Sequence, residues 1–210
     1  MKKVVYIHGL GGSGNGTSAQ NVKKALGEGF EFSANTYDLL KPEQAFERIQ
    51  ADVKAADYVV ASSLGAFYAA SVICDRTMLL LNPCLEPENA IKKILYPEQQ
   101  KDFDEQKCVR EWLEIKSNWK ELDREEMGER FAVFSDKDEL FSYIETFKKN
   151  LGTFFGTDNF ATIHGTHEIA KDQNALAAAL DLFWKYIDAS CDIMAAGAGG
   201  SLWWFDPSKD

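Results

Sequence analysis

Val59-Val60-Ala61-Ser62-Ser63-Leu64-Gly65-Ala66 carries an apolar strand straight into a serine and on into a helical pattern. Ala61 and Gly65 stand two residues either side of Ser63, the spacing of a nucleophile elbow. In that turn the serine backbone is strained, and only small residues at the −2 and +2 positions let the two arms pass closely. Ser62 fails the same test, because its neighbours at those positions are Val60 and Leu64. Ser63 is therefore the candidate nucleophile, with Ala61 one methyl larger than the usual glycine. The plainer alternative is a helix N-cap, since serine is favoured where a strand hands over to a helix.

Outward from the elbow, short apolar or β-branched runs alternate with helical periodicity. Strands are expected at Lys3 to His8, Phe30 to Tyr37, Tyr58 to Ser62, Thr77 to Asn82, Arg130 to Ser135 and Asn159 to His164. Helices are expected at Ser18 to Leu26, Pro42 to Ala55, Leu64 to Cys74, Phe141 to Asn150 and Asn174 to Asp188. The alternation predicts an α/β fold of three layers around a mostly parallel sheet of about six strands. Each crossover is long enough for a parallel connection. The segment from Pro83 to Glu129 is too long for a plain crossover and places a helical insertion over the strand ends. Trp112 and Trp119 share a helical face there, either as the apolar side of a lid or as a helix packed on the core.

A chain of 210 residues, 45% of them hydrophobic, supports one well-buried domain, here residues 1–188. No apolar run approaches the roughly 20 residues of a membrane span, and the apolar stretch near Met1 is too short for a signal peptide. Four cysteines without CxxC spacing suggest neither a zinc site nor a disulfide framework, which fits a reducing cytoplasm. A net charge of −10 with interspersed basic residues argues against nucleic acid as a partner. After Ala189, a Gly/Ala-rich stretch at residues 195–201 reads as a linker. Beyond it, Leu202-Trp203-Trp204-Phe205 forms an aromatic tail that could be a docking peptide, a strap or an engineered addition.

A serine hydroxyl needs an adjacent imidazole to remove its proton, and the chain has three histidines. His8 ends the first strand. His164 is still within the last strand, whereas His167 follows Gly165 in the turn before the final helix and is the preferred base. A zinc pair of His164 and His167 lacks a convincing third ligand. The acid that orients the imidazole is expected after the strand Phe131 to Ser135, at Asp138, with Asp136 as the alternative. Ser63, Asp138 and His167 each follow a separate strand, in the order Ser, Asp, His. Backbone amides of Leu10 and Leu64 are the candidate oxyanion donors. The glycine-rich run Gly9 to Gly16 lets backbone approach a substrate, at Gly9 and Gly11 first. The same run also matches GxGxxG at Gly9, Gly11 and Gly14 with Asp38 downstream, a dinucleotide reading. Against it, Asn15 and Gly16 still separate Gly14 from a helix best capped at Thr17 or Ser18.

With these residues in place, the chain resembles the YqiA-like small esterases of the α/β-hydrolase superfamily across most of residues 1–188. The resemblance rests on Tyr6-Ile7-His8-Gly9, on Ala61 to Ala69, on Leu81-Asn82-Pro83-Cys84-Leu85, on Asp136 to Glu139 and on Gly165-Thr166-His167. It implies a hydrolase fold lacking the leading strands, a metal-free and cofactor-free Ser-Asp-His triad, and action on a small carboxylic ester or acyl thioester. Leu85, in the asparagine-proline turn, joins Gly9 and Gly11 as a candidate substrate-binding residue. A catalytically silent binding protein on the same fold, using the Trp112/Trp119 face or the tail, is the competing expectation.

Overall fold

Six strands build one sheet in the order β2-β1-β3-β4-β5-β6, and every pairing is parallel. They are β1 (Lys2–Ile7), β2 (Phe30–Ser33), β3 (Tyr58–Ser62), β4 (Thr77–Leu81), β5 (Arg130–Ser135) and β6 (Phe160–Ile163). Helices α1 (Thr17–Leu26), α2 (Pro42–Ala55), α3 (Ser63–Ala70), α4 (Pro87–Ile94), α5 (Glu105–Ser117), α6 (Ile144–Leu151) and α7 (Gln173–Ser201) fill the connections. This computed structural model describes residues 1–95, 99, 103–120, 128–152 and 159–201. The fold is of α/β-hydrolase type.

The period of two along each strand divides the core. Val5, Ile7, Val59, Ala61, Met78, Leu80, Ala132 and Phe134 face α2 to α6. Val4, Tyr6, Val60, Leu79, Leu81, Phe131 and Val133 face α1 and α7. Because β1 leads to β2 and β3 leads to β4 in opposite directions, the chain leaving β1 passes to one face of the sheet, as α1, and the chain leaving β3 to the other, as α3. The carboxyl ends of β1 and β3 therefore flank a topological switch point, where open α/β sheets form a crevice. The loop after β1 and the elbow after β3 both open there.

Helix α3 is apolar on all sides and buried on all sides. The insertion supplies its cover: Trp112 is fully buried and donates from Nε1 to Tyr68 Oη at 2.7 Å, and Trp119 donates to Ser71 Oγ at 2.9 Å. Both indoles are thus packed into the core against α3. Buried Arg130 closes the far end of α3, donating to the carbonyls of Ala70 and Val72 at 3.2 and 2.7 Å. Burial lowers its pKa to about 10, and the guanidinium still meets the negative end of the helix as a cation at neutral pH.

Three boundaries differ from the sequence reading by four residues or more. Strand β2 stops at Ser33 instead of Tyr37, because Thr36 Oγ1 accepts from Gly14 N–H at 3.0 Å and Tyr37 N–H turns to a histidine. Helix α3 ends at Ala70 rather than Cys74. Helix α7 runs through the stretch expected to be a linker, as its alanines favour a helix enough to carry the intervening glycines. The aromatic tail at 202–210 lies outside the described residues.

If α5 is core, Trp112→Ala should cost about 3–5 kcal/mol, whereas Leu113→Ala, on the exposed side of the same turn, should cost less than about 0.5 kcal/mol. Urea unfolding of the two variants measures the difference.

Candidate active site

The strand-to-helix turn places Ser63 at φ 51°, in the left-handed region that non-glycine residues rarely occupy. The sequence permits this because its neighbours are small. Ala61 is wholly buried. A side chain at Gly65 would bring a Cβ within 2.2 Å of the His8 carbonyl oxygen, and one at Gly9 would sit 3.0 Å from Ser63 Cβ. The carbonyl of Ser63 is held in turn by the Cys84 N–H at 3.0 Å. Within the loop after β1, Gly9 thus answers to the packing of the elbow, Gly12 to the His8 side chain and Gly14 to the Ala34 backbone.

Ser63 Oγ lies 2.9 Å from His167 Nε2, although 104 positions separate them in the chain. The other ring nitrogen, Nδ1, lies 2.8 Å from Asp138 Oδ2. The second carboxylate oxygen of Asp138 accepts the N–H groups of Leu140 and Phe141 at 2.8 and 3.2 Å. Side-chain exposures of 4% for Asp138 and 10% for His167 keep this chain of contacts out of bulk water. The Phe141 ring packs edge-on against the imidazole at 4.8 Å, and Glu139 accepts the His167 backbone N–H at 3.1 Å.

The alternative residues form a different pair. Asp136 accepts from His164 Nδ1 at 3.0 Å, with side chains 44% and 74% exposed, and neither borders the cavity over Ser63. The hydrogen bond from His164, then that from the Gly165 N–H, lowers the Asp136 pKa. With one histidine turned to Asp136 and the other to Asp138, the two do not converge as metal ligands. No group of three or more metal-ligating side chains occurs among the described residues.

His8 has a third environment. It is buried, its Nδ1–H donates to the Gly9 carbonyl at 2.8 Å, and Nε2 accepts the Tyr37 N–H at 3.0 Å. Those partners require the neutral ring and brace the loop carrying Gly9 and Leu10. Desolvation lowers its pKa, against a smaller raising effect from the Gly9 bond.

The cavity over Ser63, of about 470 Å³, is lined by Gly9, Leu10 and Gly11 on one side and by Leu140 and His167 on the other. Neither the Leu10 nor the Leu64 N–H has an acceptor among the described residues. Leu85 is a correction. It is fully buried in the core and does not line the cavity, because its N–H turns back to the Pro83 carbonyl at 3.1 Å and sends the side chain inward.

Asn82 is the residue the sequence reading did not assign. At φ 41° it accepts the Ser135 N–H at 2.7 Å through Oδ1, while Nδ2 donates to Ser135 Oγ and to the carbonyls of Thr166 and His167 at 3.0–3.1 Å. One buried amide thereby ties the ends of β4 and β5 to the turn bearing the imidazole. Its signal was present in the asparagine before Pro83, since asparagine tolerates left-handed backbone.

Compared with known proteins, residues 3–183 match the family described as Uncharacterised protein family (UPF0227). The chain belongs to UPF0227. This is the YqiA-like family that its motifs resemble. Among solved structures, Est1E from Butyrivibrio proteoclasticus with ferulic acid bound is 18% identical, with 90% of this chain and 89% of that one aligned and a TM-score of 0.61. The fluorophosphonate-binding serine hydrolase FphF from Staphylococcus aureus is 12% identical over 87% and 83%, with a TM-score of 0.61. Esterase B from Lactobacillus rhamnosis is 12% identical over 94% and 80%, with a TM-score of 0.59. At these identities the likeness is one of fold. Among curated proteins, no sequence relative matches this UPF0227 chain. No helix among the described residues is long and apolar enough to cross a membrane.

The His8 environment sets a pH dependence. Its folded pKa lies below the unfolded value of about 6.5, so its contribution to stability is complete above that pH. As pH falls further, the unfolded chain takes up the proton first and stability drops. Urea unfolding between about pH 5 and 7 should show a steeper fall for the wild type than for His8→Gln, by up to about 1.4 kcal/mol per pH unit.

Proposed function

We propose that this protein is a serine hydrolase that cleaves carboxylic esters or acyl thioesters through an acyl-enzyme on Ser63. The observation that carries the reading is the continuous contact from Ser63 Oγ to His167 Nε2 and from Nδ1 to Asp138. Ser63 Oγ attacks the acyl carbon as His167 Nε2 takes its proton. Asp138 accepts from Nδ1–H, fixes the tautomer and stabilises the imidazolium. The Leu10 and Leu64 amides donate to the oxygen that becomes an alkoxide in the tetrahedral intermediate. His167 then returns the proton to the leaving oxygen or sulfur, and water repeats the sequence on the acyl-serine. Each step uses side chains and backbone of the chain itself, with no metal or cofactor. Esterases and serine hydrolases among the structural neighbours support the same reaction class. Free thiols at Cys74, Cys84 and Cys108 suit a reducing cytoplasm.

A fluorophosphonate probe should label Ser63 in the wild type and not in Ser63→Ala. Turnover of p-nitrophenyl butyrate should fall by about 10⁴ or more in Ser63→Ala, His167→Ala and Asp138→Asn. Asp136→Asn should stay within about twofold, since its partner is the exposed His164. Folded wild-type protein that neither labels nor cleaves any ester would overturn the reading.

A further inference from the structure

The cavity over Ser63 continues past the nucleophile, and its two ends differ in chemistry. Toward the α2–α6 face its wall is apolar, with Leu10 and Ile94 packed on that core. Toward the α1/α7 face its wall carries hydroxyls, those of Tyr6, Thr17, Ser18 and Ser62. The opposite wall at that polar end is the turn that follows His167, residues 168–171.

Ser62 stands out among these groups. It occupies the N-cap position of α3, yet its side chain makes no capping bond. Its Oγ instead accepts the Tyr6 hydroxyl at 3.1 Å, and Tyr6 is almost wholly buried. Tyr6 and Ser62 therefore form an oriented pair of hydroxyls. The Ser62 hydroxyl has no acceptor of its own among the described residues. Ser62 lines the cavity, one residue before Ser63.

Resting on the serine-hydrolase reading above, we propose that Ser62 is a specificity-determining residue whose hydroxyl donates to an acceptor oxygen on the leaving group. The leaving group is assigned to this end because it takes its proton from His167, and the turn continuing from His167 borders the end that carries the hydroxyls. The preferred substrates are then esters or thioesters whose alcohol or thiol carries a carbonyl, amide or similar oxygen, while the acyl chain lies against Leu10 and Ile94. Tyr6 acts through Ser62 as a positioning residue.

Two thioesters of matched length test this: S-butyryl-N-acetylcysteamine, whose thiol bears an amide, and S-butyryl-pentanethiol, whose thiol is plain alkyl. The wild type should favour the amide-bearing thioester in kcat/KM. Ser62→Ala should reduce that preference about tenfold, the ratio given by one hydrogen bond of about 1.4 kcal/mol. Ser62→Thr, which keeps the hydroxyl, should retain it, and Tyr6→Phe should fall between. Equal kcat/KM for the two thioesters in the wild type would overturn the assignment, as would a fall by the same factor for both in Ser62→Ala. In either case fluorophosphonate labelling of wild-type Ser63 would show the hydrolase reading intact. Absence of both labelling and thioester cleavage would remove that reading and this one with it.

Discussion

The left-handed backbone at Ser63 is the constraint around which the strand ends are organised. A non-glycine residue in that region costs on the order of 1–3 kcal/mol and persists only when its surroundings dictate it. Here Ala61 and Gly65 let β3 and α3 close against the end of β1, Gly9 yields space beside the serine, and Cys84 N–H holds its carbonyl. The cost is offset by the burial of α3, whose whole surface meets the sheet on one side and two tryptophans on the other. The insertion between β4 and β5 thus acts on the candidate site at a distance, by holding in place the helix that begins at Ser63.

The elbow and the two loops that face it were legible in the sequence because each is a short-range pattern with one physical cause. Small residues flank Ser63, an acid follows the strand ending at Ser135, and a histidine follows a glycine after the last strand. Positions that depend on tertiary packing were not legible in the same way. Leu85 sits two residues past a proline whose carbonyl turns it into the core, and nothing local distinguishes that from a turn aimed at a substrate. The face bearing Trp112 and Trp119 has one periodicity whether it covers a core or a cavity, and only Tyr68 Oη and Ser71 Oγ as partners decide between them. Strand β2 ends early because Thr36 and Tyr37 are captured by Gly14 and His8, contacts made across the sheet.

The three histidines make the same point about environment. One imidazole is buried and neutral between two backbone groups, one is exposed beside Asp136, and one is enclosed between Ser63 and Asp138. Residue type made all three candidates. Their partners separate a brace, a surface pair and a candidate base.

The imidazole nearest Ser63 is supplied by the turn leaving β6, a four-residue strand at the sheet margin that pairs on one side only. Margins open at lower free energy than the interior of a sheet, and the turn is restrained by Asn82, gripping the carbonyls of Thr166 and His167, together with Asp136, Asp138 and Glu139, which accept from Gly165 N–H, His167 Nδ1 and His167 N–H. The arrangement predicts that warming parts the imidazole from the serine before the central strands separate, so that a probe placed on this turn reports the state of the margin rather than of the whole.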